Sequence, residues 1–256
     1  MLAGRRAVMF NGDESLMIRA NLWCRTALNV LKKIAEFSFD DRDSFYAQMR
    51  DIPWSRFFDV SRSISITGLA HDTGVFNNTL FLAQLSKDAI ADHFRDLTGE
   101  RPDVDTHTPQ VPIQVYVLRN RCIVSLDSSG EVLFKRGYRL QGGPAPINEV
   151  LAAGLVALSG WDEQHDFLDP MCGTATIAIE AGMKASKMAP GLSRREFGFT
   201  HWKDYDHSLF ERLCEEAAQM RITPNLRILA SDVSIKVLDI ARQNVMRAGI
   251  SGLIRV

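Results

Sequence analysis

One stretch constrains this chain more than any other: Leu168-Asp169-Pro170-Met171-Cys172-Gly173-Thr174-Ala175-Thr176-Ile177. A short apolar run ends in a carboxylate, small residues follow, and a helix-forming segment opens at Thr176 and runs to Lys187. Strand, turn and helix in that order put an acid and a glycine at the carboxyl end of a strand, where open α/β sheets take their ligands. A second strand, Leu226 to Ala230, leads through Ser231-Asp232 into a second helix, Ile235 to Ala248. A helix from Ile147 to Leu158, closed by Gly160, precedes the first strand, Phe167-Leu168. Strand, helix and strand again predict a parallel α/β sheet for the rear of the chain.

A nucleotide-like ligand is implied at these strand ends. S-adenosylmethionine asks for an acceptor for its ammonium group, for close backbone approach around its methionine half, and for an acid on the next strand that binds the ribose hydroxyls. Asp169, Gly173 and Asp232 meet these needs in turn. A dinucleotide asks instead for G-x-G-x-x-G and an acid about 20 residues further on. The loop has one glycine, and Asp232 stands far beyond that interval, so an insertion separates the first helix from the second strand. Residues 188 to 207 supply it, with Pro190-Gly191 and Phe197-Gly198-Phe199-Thr200-His201-Trp202. A plainer reading stays open: Asp-Pro with a nearby glycine makes a turn, and Thr174 or Thr176 caps a helix.

The front half reads as α+β. Leu16, Ala20, Trp23, Ala27, Val30, Leu31 and Ile34 recur at helical steps and predict one amphipathic helix from Asp13 to Phe37, capped by Asp13. Ile52-Pro53-Trp54 is a break. Ser63 to Leu69 alternates as a strand. Asn78 or Thr79 caps a helix whose Leu82, Leu85, Ala89, Ile90, Phe94 and Leu97 share a face, and Gly99 stops it. Val111, Ile113, Val115 and Val117, then Ile123, Val124 and Leu126, alternate about a turn at 119–121 and predict a hairpin. The basic run Lys135-Arg136-Gly137-Tyr138-Arg139 follows, then a linker, Gln141-Gly142-Gly143-Pro144, which sets a domain boundary near residue 141.

Thirty Lys and Arg face 31 Asp and Glu, so a nucleic-acid contact needs a local patch. Lys135, Arg136, Tyr138 and Arg139 are the candidates, pairing phosphates and stacking on a base. The alternative is a solvated strand end with Tyr138 packed on the linker. Four scattered cysteines without C-x-x-C, and histidines without ligand spacing, predict no metal site. No segment approaches 18 uninterrupted apolar residues, and charges interrupt the first twenty, so the reading is a soluble, cytoplasmic protein without a membrane partner.

These motifs resemble a family. Asp169-Pro170-Met171-Cys172-Gly173-Thr174-Ala175-Thr176-Ile177 with Ile179-Glu180-Ala181 is similar to the first cofactor motif of the THUMP-domain RNA methyltransferases, D-P-x-C-G-[ST]-G-T-I-x-I-E-A. Ala189-Pro190-Gly191, Phe197-Gly198-Phe199 and Trp202 resemble the insertion of the bacterial large-subunit ribosomal RNA guanine-N2 methyltransferases, and Ser231-Asp232 with the helix after it resembles their second motif. Leu126 to Arg139 resembles the end of their THUMP domain. The resemblance spans about residues 15 to 256. It implies a partial ferredoxin-like region over 1–55, a THUMP RNA-binding domain over 56–140, and the first half of a Rossmann-like methyltransferase domain over 141–256. It implies S-adenosylmethionine as cofactor, held by Asp169, Pro170, Cys172, Gly173, Thr174, Thr176, Asp232 and Val233, and ribosomal RNA as substrate.

Two departures from the family pattern bear on function. Ala175 replaces the family's second glycine, which adds a methyl group where backbone and cofactor approach and predicts weaker binding. The family's N/D-P-P-Y/F catalytic motif does not occur before Val256, so no catalytic residue is assigned and this stretch alone is expected to transfer no methyl group. Two readings compete with a ribosomal RNA enzyme: a non-catalytic RNA-binding module with a vestigial pocket, and a transfer-RNA guanine-N2 methyltransferase.

Overall fold

The computed structural model describes residues 2–3, 7–139, 146–194 and 196–256. The linker at 141–144, and with it the boundary near residue 141, lies outside them. In chain order the elements are β1 (Leu2–Ala3), β2 (Val8–Met9), α1 (Glu14–Trp23), β3 (Leu31–Ser38), α2 (Arg42–Asp51), β4 (Ile64–His71), α3 (Thr79–Thr98), β5 (Val111–Leu118) and β6 (Arg121–Asp127). Then come α4 (Glu149–Leu158), β7 (Phe167–Asp169), α5 (Thr176–Ala185), α6 (His207–Gln219), β8 (Ile228–Ala230), α7 (Ile235–Arg247) and β9 (Ile254–Arg255).

The predicted helix from Asp13 to Phe37 is two elements. Asp13 does cap α1, its side chain accepting from the Leu16 N–H at 2.8 Å, but the helix ends at Trp23 and Cys24 is already extended. Leu31–Ser38 is a strand that pairs antiparallel with β6 along its length, from Leu31 opposite Asp127 to Ser38 opposite Arg121. Apolar residues three and four apart fit a helix, yet a short run satisfies either period, and the partner strand decides.

One compact unit comprises residues 29–131 and 196–206. Its sheet has the order β3-β6-β5-β4, with β4 and β5 parallel and the other pairs antiparallel. The hairpin and the strand before α3 fall where the alternation placed them. Val111, Ile113, Val115 and Val117 point one way into the core, each at most 1% exposed. Helix α3 crosses between the parallel strands, as a parallel pair requires. Asn78 caps it through the Leu80 N–H, and Gly99 closes it at φ +78°. Leu82, Ala89, Ile90 and Phe94 are buried, whereas Leu97, expected on that face, is 60% exposed. Because β3 belongs to this sheet, a division at residue 56 separates strands that hydrogen-bond to each other.

Part of the expected insertion also folds here. Phe197 and Phe199 stack at 5.2 Å and are buried with Trp202, whose ring lies 5.1 Å beneath the Lys32 ammonium. A Cβ on Gly198 would stand 2.2 Å from the Asp127 carbonyl oxygen, so only glycine lets the backbones meet.

The other unit comprises residues 1–28, 132–195 and 207–256. A parallel sheet of order β7-β8-β9 forms its centre, confirming the strand–helix–strand reading. Helices α5 and α7 bury Ala178, Ile179, Ala181, Ala241 and Val245 against Ile228, Ala230, Ile250 and Ile254. Helix α4 packs on α5, and α1 packs on α6. Among the described residues no helix is long and apolar enough to cross a membrane, and no group of three or more His, Cys, Asp or Glu side chains could hold a metal ion.

Candidate cofactor site

The parallel register puts Asp169, the last residue of β7, opposite Ala230, the last of β8. The two chains stay joined past the strand ends. The Ser231 N–H donates to the Asp169 carbonyl at 2.9 Å, and the Cys172 N–H donates to the Ser231 carbonyl at 2.8 Å. One step further, the Gly173 N–H donates to Asp232 Oδ2 at 3.0 Å, while Asp232 Oδ1 accepts from the Ser234 N–H at 2.9 Å. Asp169, Gly173 and Asp232 therefore share one bend.

The proximity has an electrostatic consequence. Burial raises the Asp169 carboxyl above its usual range and the Asp232 charge adds to the rise, against hydrogen bonds from the Met171 and Ala178 backbone N–H groups. Asp169 is 9% exposed, and its buried Oδ2 has no hydrogen-bond partner within the protein. A buried carboxylate oxygen left unpaired is costly unless a ligand completes it. The Cys172 thiol is pushed up to about 11 by burial and by the Asp169 and Asp232 charges, which keeps it protonated and a poor nucleophile.

The remaining predicted contacts divide. Gly173, at φ +52°, is half-buried with nothing within 4 Å of where a Cβ would be, so its surface is open to a ligand. Pro170 is exposed and Val233 fully so. Thr174 is buried, and its carbonyl accepts from Asn244 Nδ2 of α7 at 3.2 Å. Thr176 is 2% exposed, and its hydroxyl accepts from Arg139 Nη2 at 2.6 Å, so that oxygen is already engaged inside the protein. Neither N-cap residue, Ala175 of α5 nor Ser234 of α7, caps its helix with its own side chain, and of the first-turn N–H groups of α5 that of Ala178 faces the Asp169 carboxylate.

Ala175 differs from expectation in a specific way. It sits at φ +64°, ψ +27°, which explains a glycine in the family pattern, but it is 0% exposed and its methyl packs in the core with Ala178 and Ile179. The cost of the substitution is backbone strain, not a clash with a bound molecule.

The basic run is also corrected. Arg136 is 1% exposed and lies 2.9 Å from Glu180 Oε2, and Tyr138, 2% exposed, donates to Glu180 Oε1 at 3.0 Å. Neither presents a face to a phosphate or a base. Arg139 is half-buried and committed to α4 and α5, which leaves Lys135 as the exposed member of the four. A K-R-x-Y-R string reads as a basic patch because burial of an arginine depends on a distant acid, here Glu180, that spacing alone does not reveal.

Known protein families and relatives match the chain along its length. A family model described as "RMKL-like, methyltransferase domain" matches residues 136–256, a THUMP domain model matches 39–127, and a model of the RlmL ferredoxin-like domain matches 3–31. Two curated relatives, each named ribosomal RNA large subunit methyltransferase K/L, come from Marinomonas sp. and Desulfotalea psychrophila. They are 39% and 36% identical over 99% of this chain. The chain spans 36% of the length of each. Among solved structures, one described as a predicted N6-adenine-specific DNA methylase from Listeria monocytogenes superposes with a TM-score of 0.85 at 29% identity. It covers 95% of this chain and 64% of that one. A structure of SMU.472 complexed with SAH superposes at 0.82 with 26% identity and the same coverage.

Proposed function

Since the chain belongs to the THUMP-containing, RMKL-like methyltransferases, we propose that it is the cofactor-holding and RNA-handling portion of an S-adenosylmethionine-dependent methyltransferase acting on guanine N2 of large-subunit ribosomal RNA. The observation that carries the cofactor assignment is the unpaired, buried Asp169 Oδ2 beside an open Gly173 and the Asp232 carboxylate. The bound form of SMU.472 and the relatives' names support the same reading.

Asp169 accepts the cofactor's ammonium group, and pairing with that cation completes its orphaned oxygen. Gly173 lets the methionine half lie against the backbone. The first-turn N–H groups of α5 other than that of Ala178 receive the carboxylate of that half. Asp232 has both oxygens on backbone donors, so it reaches the ribose hydroxyls through its remaining lone pairs, an arrangement that fixes its orientation. When bound, S-adenosylmethionine supplies an electrophilic methyl group on sulfonium. The protein's part is to hold that group in line with a nucleophile whose lone pair is delocalised, a positioning task. The four-stranded unit handles RNA, and Lys135 adds a phosphate contact. Work on ribosomal RNA places the protein in the cytoplasm.

The test uses the full-length protein and tritiated S-adenosylmethionine with large-subunit ribosomal RNA and bulk transfer RNA in parallel. Label in ribosomal RNA, recovered as N2-methylguanosine, is the expected result. Label confined to transfer RNA overturns the substrate, and none in either overturns the activity.

A further inference from the structure

The half of the basic run that turns inward does so toward the cofactor loop. Arg139 Nη2 donates to the Thr176 hydroxyl at 2.6 Å and to the Ile147 carbonyl at 2.7 Å, while its Nε lies 3.3 Å from Glu149 Oε1. Thr176 is the first residue of α5, and Ile147 and Glu149 flank the start of α4. One guanidinium thus ties the two helix starts together at buried positions, with Glu149 4% and Thr176 2% exposed. Behind it, Arg136 and Tyr138 converge on Glu180 of α5, and Arg136 also donates to the Arg25 carbonyl. Arg25 in turn donates to the carbonyl of Met183 in the last turn of α5 at 3.1 Å and to that of Met188 just beyond the helix.

Such a set is a poor source of stability, because taking charges from water costs about what pairing returns. It is a good source of geometry, since a planar fork fixes its partners in direction as well as distance. The two ends of α5 are held by different arginines, Arg139 at Thr176 and Arg25 at Met183, with a second Arg25 bond to Met188 in the segment that follows. The loop ahead of α5 is held from the far side by Asn244 on the Thr174 carbonyl and by Asp232 on the Gly173 N–H.

We infer that Arg139 is a positioning residue for the cofactor loop, holding Thr176 so that Gly173 and the start of α5 stand ready for the methionine half of the ligand. The inference rests on the cofactor reading above for its ligand, but not for its mechanics.

Arg139→Lys keeps a cation opposite Glu149 and loses the fork to Thr176 and Ile147, whereas Thr176→Val removes the acceptor at nearly constant shape. S-adenosylhomocysteine is titrated into each by calorimetry, with melting temperature and amide exchange of residues 170–178 recorded without ligand. Each single variant is expected to bind about tenfold more weakly and to exchange faster in that segment than in the rest of the chain, beyond the fall in melting temperature that loss of a buried hydrogen bond brings. The double variant is expected to be no worse than the poorer single one. Wild-type affinity and exchange in Arg139→Lys, or losses that multiply in the double variant, overturn the inference. If Arg139→Lys does not fold, Thr176→Val alone decides. If the wild-type protein takes up no S-adenosylhomocysteine, the cofactor reading fails, and the exchange comparison still decides whether Arg139 holds the loop.

Discussion

Asp169 is the residue on which, under the proposed cofactor reading, ligand binding and stability oppose each other. Its carboxyl titrates above the usual range in the folded chain because it is buried and faces Asp232. A carboxyl with a raised folded pKa favours the fold most below the unfolded value of about 4, and that contribution is lost as pH rises through the folded value. Asp169→Asn removes this loss. The variant is expected to melt above the wild-type protein at pH 7, with the gap closing as pH falls below about 4; parallel calorimetric scans across pH check it. A variant less stable than wild type at pH 7 contradicts the burial argument. The place of Asp169 at the end of β7 was legible in the sequence, because a short apolar run that ends in an acid before small residues marks a strand end. The fate of Arg136 was not, since the acid that buries it, Glu180, lies on another element.

At the scale of elements, the start of α5 shows what a local pattern reveals and what it omits. Thr176 was the correct helix start, and the family's glycine position marked a special backbone. The fold separates strain from contact: Ala175 is left-handed and its methyl is buried. Glycine there relieves about 1–2 kcal/mol of left-handed strain while losing about 0.8 kcal/mol of methyl burial. Ala175→Gly is therefore expected to change stability by less than about 1 kcal/mol, whereas Ala178→Gly, equally buried inside α5, costs about 2 kcal/mol. Urea unfolding of both variants checks the contrast, and equal losses refute the strain. The same scale accounts for β3. Its apolar spacing fits a helix, and the edge of β6 that makes it a strand lies some ninety positions away. Helices α2 and α6 left weaker marks, with Phe45 and Met49, or Leu213 and Ala217, as their few buried positions.

For the molecule as a whole, the parallel sheet, the hairpin and the α3 crossover were readable, while the partition of the chain was not. Residues 196–206 belong to the four-stranded unit, and residues 1–28 belong to the unit with the parallel sheet. Long-range pairing of this kind is set by partners that no local window contains. The proposed function nonetheless depends on one bend, where Asp169, Gly173 and Asp232 meet. Isothermal titration of S-adenosylhomocysteine and, separately, of NAD into the wild-type chain and into Asp169→Asn tests it most directly. Binding of S-adenosylhomocysteine by the wild-type chain, at least tenfold weaker in Asp169→Asn, with no heat from NAD, is the predicted result. Tighter binding of NAD, or equal affinity of both proteins for S-adenosylhomocysteine, would contradict it.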